Sequence, residues 1–210
     1  MLARYQSSAT NAVAVRDAVQ LGHDNVGLIR NALDSYVPNV SYADASFSRS
    51  LEGIAQLIQV GGLGTDIYYT GMGGFDTHGG QGSTSGRHPS LMFELNRGIE
   101  SFANDMKAQG KWNDCVMIVF SEFGRRNFEN GSGGTDHGDG QTMMVLGGAV
   151  NGGSYGSDLT DTDIRDNDSM PMEVDFRSVF GEVIDKHLGH ASEAVFTDTN
   201  RLSQGALGIL

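Results

Sequence analysis

Residues 115–120 read Cys-Val-Met-Ile-Val-Phe. A continuous apolar run of this length is too short to cross a bilayer, which takes about 20 helical residues. Its β-branched content suits a strand buried on both faces. Upstream, Leu91, Leu95, Ile99, Phe102 and Met106 recur at helical spacing behind Pro89, and Gly110 follows them. This predicts an amphipathic helix with proline in its first turn and glycine at its end. Before it, Asp66–Thr70 is a short β-rich run that ends in Gly71-Met-Gly-Gly74. A further helix is predicted around Leu51, Ile54, Ala55 and Ile58, closed by Gly61-Gly62. Downstream, Thr142–Leu146 reads as another buried strand, and Phe176 to Leu188 as a last helix. Ala12 to Tyr36 has helical character, with a break expected at Gly22 and an end before Pro38. Residues 1–48 are otherwise weakly patterned. Buried strands alternating with helices predict an α/β fold with a mostly parallel sheet flanked by helices. No repeat or linker divides residues 1–210, which read as a single domain.

Composition narrows the function. Glycine accounts for 30 of 210 residues, about double the usual ~7% share. The glycines have no three-residue period, which excludes collagen, and 39% hydrophobic content argues against a disordered chain. The formal net charge is −12, so the chain as a whole repels phosphate backbones and no nucleic-acid partner is expected. No run is long enough for a membrane span. The first residues, Met-Leu-Ala-Arg-Tyr-Gln, lack the basic and apolar regions of a signal peptide. The single Cys115 reads as a small buried hydrophobe.

Three polar clusters punctuate the predicted strand ends. They are Gly74-Phe-Asp76-Thr-His78, Ser121-Glu122-Phe-Gly-Arg125 and Gly134-Thr-Asp136-His137-Gly138. Ligands in open α/β sheets bind beyond strand ends, so the clusters are expected to converge on one edge. Carboxylates and imidazoles together suit Zn²⁺, Mn²⁺ or Fe; an all-oxygen subset would suit Mg²⁺ or Ca²⁺. Residues i and i+2 of an extended chain point the same way, so Asp76 and His78 are placed to share one ion. Asp136 and His137 point apart, one binding while the other orients from behind. Arg125 and Arg126 are the local cations for an anion in a chain with only three lysines. Each cluster also has a plain structural reading, as a surface turn, an ion pair or an Asx-turn. His88 lies near the same edge, whereas His187 and His190 read as structural. The acidic stretch Asp158, Asp161, Asp163, Asp166 and Asp168 hints at calcium. It lacks the glycine and closing glutamate of an EF-hand, so it reads as a solvated loop.

GGFDTHGGQ, VFSEFGRR and GTDHGDGQTMMVLGGAVNGGSYG, in this order, resemble the DUF1501 family of bacterial proteins, classed with the alkaline phosphatase/sulfatase-like superfamily. The resemblance runs from about Leu51 to Tyr155, and weakly on to 175–189. It implies an alkaline phosphatase-like core and a divalent metal (Zn, Mn, Mg or Ca). It also implies hydrolysis of a phosphate or sulfate ester, or else a relative that keeps the fold and binds an anion, a sugar or a partner. On this reading Asp76, His78 and His137 are metal ligands, and Glu122 is a ligand or general base. Arg125 holds the anion and Asp136 orients His137. Family members are often exported, implying a periplasmic setting. The sequence departs from the superfamily pattern in three places. Asp76 and His78 stand only two apart, Glu122 stands alone, and residues 1–48, including Ser41, Ser46, Ser48 and Ser50, show no nucleophile strand. The chain therefore reads as the C-terminal half of a larger core, with apolar surface left exposed or covered by a second copy, a homo-oligomer.

Overall fold

The computed structural model describes residues 10–157, 160–166, 168–197 and 206–210. The chain runs through α1 (Thr10–Ser35), α2 (Ser46–Val60), α3 (Arg87–Ala108), β1 (Val116–Val119), β2 (Gly124–Arg125), β3 (His137–Gly138), β4 (Met144–Gly147), α4 (Asp161–Asp166) and α5 (Phe176–Lys186). α2 stops at Gly61, whose φ of 64° is cheap only for glycine. Its N–H returns to the Leu57 carbonyl at 3.0 Å. α3 carries Pro89 in its first turn and is followed by Gly110 at φ 70°. α1 runs unbroken through Gly22 and ends before Pro38.

Among the described residues the expected mostly parallel sheet does not form. β1 and β4 pair antiparallel, Val116 opposite Gly147 and Val119 opposite Met144. β2 and β3 make a second, separate antiparallel pair. The reason lies in the connection. A parallel return needs a crossover, usually a helix, whereas the chain between β1 and β4 is glycine-rich and holds only the β2–β3 arms. Residues 66–70 are not a strand either; Ile67 and Tyr69 are 70% and 83% exposed. The alkaline phosphatase-like α/β core expected from the sequence is therefore replaced by two small ribbons among helices.

The β1–β4 ribbon does separate two apolar clusters. Alternate residues of β1 point to opposite faces. Met117 and Val119 pack with Phe47, Leu51, Ala55, Leu95, Phe102 and Met106 of α2 and α3. Val116 and Ile118 pack with Val179 and Val183 of α5 and with Ile209. This is what makes the run 115–120 apolar throughout.

Two buried carboxylates anchor the irregular segments. Asp105 on α3 accepts from the hydroxyls of Tyr36 and Tyr42 and from Asn39, so the 36–42 turn is tied to the helix. Glu182 on α5 accepts from the N–H groups of Leu207 (2.7 Å), Gly208 (3.0 Å) and Leu210 (3.1 Å) and from Lys186 (2.8 Å). Burial pushes the Glu182 carboxyl up, but Lys186 and the three backbone donors outweigh it and hold the group below its ordinary value. A carboxylate held low stabilises the fold above its unfolded pKa of about 4.3 and loses that contribution as pH falls through the folded value. Glu182→Gln is therefore expected to cost roughly 1–3 kcal/mol near neutral pH. Melting curves of the two proteins should converge as the pH is lowered below about 4; a gap that stays constant into acid would refute the assignment.

Candidate functional site

β2 and β3 place Arg125 directly opposite His137. This short ladder brings the second and third polar clusters together. The first cluster is stitched on by its backbone. Gly80 and Gln81 donate to the carbonyls of Ser132 (3.1 Å) and Gly133 (2.8 Å), and Thr135 donates to Thr77 (3.3 Å). Thr77 is 2% exposed, and its hydroxyl and that of Thr135 both reach the Gln81 side-chain oxygen, at 3.0 and 2.8 Å. Burying Thr77 turns its neighbours Asp76 and His78 outward together.

The three outward groups converge. Asp76 Oδ1 lies 2.9 Å from His137 Nε2 and 3.0 Å from His78 Nε2. The two imidazole nitrogens are 3.2 Å apart. One ligand atom from each residue falls within 4.8 Å of the others. All three side chains are about half exposed, so the cluster opens directly to solvent.

Behind it, Asp136 Oδ1 takes His78 Nδ1 at 3.1 Å. Asp136 thus orients His78, not its sequence neighbour His137. The sequence alone did not point to Asn130. Its amide donates to Asp136 Oδ1 at 3.0 Å and to the His78 carbonyl at 2.9 Å. Its side-chain oxygen accepts from Ser132 and Gly134. Asn130 opens a Gly/Ser turn, a setting in which asparagine side chains habitually bond nearby backbone; that was the available signal. Phe123 was missed as well. Its ring stacks on His137, centroids 3.9 Å apart at 12°, and fixes that imidazole's plane.

The electrostatics follow from these contacts. The hydrogen bond from His137 is the main cause that holds Asp76 below the usual carboxylate range; desolvation opposes it, and the charges of His78, His137 and Arg125 assist it. Asn130 and then His78 do the same for Asp136. Two ionised carboxylates can only accept. Asp136 is placed to accept from His78 Nδ1, which turns the Nε2 of that ring toward Asp76 and His137. Two imidazole nitrogens and one carboxylate oxygen therefore converge on a single point. Two imidazoles and one carboxylate fit Zn²⁺ or Mn²⁺ better than Mg²⁺ or Ca²⁺.

The remaining expected residues are placed differently. Arg125 Nη1 donates to the Thr135 carbonyl at 2.6 Å and Nη2 to the Phe75 carbonyl, while Asp76 lies 3.5 Å away. It staples the two ligand-bearing loops together. Arg126 is exposed, with its guanidinium over the Phe128 ring at 5.8 Å. Glu122 is exposed on the turn beside Phe123 and lies outside the three-residue group. His88 is half-buried and meets Phe75 edge-on at 5.9 Å, also outside the group. Of the acidic stretch, Asp158 lies outside the described residues, and Asp161 opens α4. Among the described residues no helix is long and apolar enough to cross a membrane.

For an ion held by Asp76, His78 and His137, Asp136→Asn is expected to weaken binding about 10–100-fold, because it removes the carboxylate behind the His78 imidazole. Isothermal titration of the ion into both proteins measures this; equal affinities would show that the Asp136–His78 contact has no part in binding.

No curated protein and no solved structure matches this chain. A family model described as a protein of unknown function (DUF1501) matches residues 1–203, and on that match the chain belongs to the DUF1501 family.

Proposed function

We propose that the chain binds one divalent ion, zinc or manganese, through Asp76, His78 and His137, and that this centre serves hydrolysis of a phosphate or sulfate ester, chemistry of the alkaline phosphatase/sulfatase-like kind. The observation that carries the reading is the convergence of His78 Nε2, His137 Nε2 and Asp76 Oδ1, with Asp136 facing His78 Nδ1 from behind. Three protein ligands leave coordination positions open to substrate, as in catalytic zinc sites. A divalent ion held there supplies Lewis acidity toward an ester oxygen. The chain's own residues do the rest. Phe123 and Asp136 lock the two imidazoles in place. Arg125 keeps the 75–78 and 134–137 loops in register. Glu122 is the exposed carboxylate assigned to proton transfer, and Arg126 the cation assigned to the anionic group.

The experiment is metal analysis of the purified protein combined with turnover of a panel of aryl phosphates and aryl sulfates. Stoichiometric zinc or manganese with turnover that a chelator removes is the expected result. No bound ion and no turnover after incubation with either metal would defeat the proposal.

One observation favours a second reading, a binding protein without catalysis. The hydroxyl within the ligand cluster, that of Thr77, is buried and bonded to Gln81, so it is not presented as a nucleophile. A non-catalytic relative predicts that phosphate or sulfate raises the melting temperature with chelator present, and that no ester turns over.

A further inference from the structure

We propose that α1 pairs with α1 of a second copy of this chain as a parallel two-stranded coiled coil. Val15, Val19, Gly22, Val26, Ile29 and Leu33 succeed one another along α1 at alternating spacings of four and three. That is the seven-residue repeat of a coiled-coil seam. The side chains on it are open to solvent: Val15 64%, Val19 46%, Val26 48%, Ile29 39% and Leu33 55% exposed. α1 touches α2, and the described α1 side chains that are half-buried, Val13, Asn25 and Leu28, all lie off the seam. The seam is thus a face the fold itself leaves uncovered.

Three features select a second α1 as the occupant. A strict seven-residue period matches a supercoiled helix, not a sheet or an irregular surface. The flanks select its direction. Arg16, His23 and Arg30 lie on one side of the seam, and the uncharged Ala18 and Asn25 on the other. Parallel copies set the basic flank of one against the uncharged flank of the other. Antiparallel copies set Arg16 against Arg30. In size, 26 residues make a helix of about 39 Å. Pairing along that length buries on the order of 1,000–1,500 Å² in total, which reaches the lower part of the range for specific association. A lone helix projecting with this seam bare would gain little from its intrinsic propensity and much from a partner.

Sedimentation equilibrium of the full chain tests this. A monomer–dimer equilibrium is expected, with Val19→Asp and Val26→Asp each raising the dissociation constant at least about tenfold, since each buries a carboxylate in the seam. Leu21→Asp, exposed and off the seam, should leave it unchanged; circular dichroism confirms that all three variants are folded. Val26→Cys should form an interchain disulfide on mild oxidation, because parallel copies set this position against itself. A strictly monomeric chain, a dimer indifferent to both seam variants, or a Val26→Cys dimer that fails to cross-link would each overturn the proposal.

Discussion

His137→Ala is expected to abolish stoichiometric uptake of zinc or manganese, and with it ester turnover. His137 supplies one of three converging ligand atoms, and its Nε2 is 2.9 Å from Asp76 Oδ1. With alanine there, two ligands remain on an open, half-exposed surface. The loss should exceed the roughly 10–100-fold cost of removing an outer hydrogen-bond partner such as Asp136. The fold should survive, because the His137 side chain is 47% exposed and its main structural contact is the Phe123 ring. Asp76→Ala should behave alike. Glu122→Gln separates binding from chemistry: the ion stays and turnover falls. Metal content by mass spectrometry, read beside a melting curve, decides the matter. A His137→Ala protein that keeps its metal would show that the ion sits elsewhere.

The site was far more legible than the sheet. Asp-x-His and Asp-His stand out because imidazole and carboxylate are few and surrounded by glycine. The spacing of Asp76 and His78 alone places them on one side of an extended chain. What the sequence hid was the partnering. Asp136 sits next to His137 yet serves His78, because the 77–81 and 130–135 loops zip together and bring distant residues closer than neighbours. Adjacency in sequence says nothing about such contacts. Arg125 looked like an anion holder because it is one of few cations. Its donors in fact hold carbonyls of both loops. For the fold, hydrophobic periodicity located β1, α2, α3 and α5 but could not name the partner of a strand. Residues 115–120 are apolar whether the ribbon is parallel or antiparallel, since both faces are covered either way. The informative feature was the stretch between 120 and 143. It has no helical pattern to cross over with, and so the chain returns antiparallel. Asp66–Thr70 has strand composition, but composition provides no neighbour to pair with.

Gly134→Ala is expected to be a severely damaging single-methyl change where the two loops of the site meet. A Cβ at Gly134 would lie 2.6 Å from the Gly79 nitrogen, and closer still to the His78 carbonyl carbon and the Thr77 oxygen. These neighbours are backbone, so no rotamer change can relieve the clash. The two loops must part instead. Parting them breaks the Thr135-to-Thr77 bond and pulls Asn130 off the His78 carbonyl, the contacts that aim His78 at Asp76 and His137. Overpacking of this kind costs about 1–3 kcal/mol or more, and a shift of about 1 Å at a ligand is enough to spoil a metal site. Both stability and metal affinity should therefore fall together, whereas His137→Ala lowers affinity alone. Gly131→Ala is the control: nothing lies within 4 Å of a Cβ built there, so melting temperature and zinc affinity should stay near the parent's. The contrast accounts for glycine at position 134. Glycine is required where two ligand-bearing loops pass backbone to backbone, and a Gly134→Ala protein with unchanged melting temperature and zinc affinity would overturn that explanation.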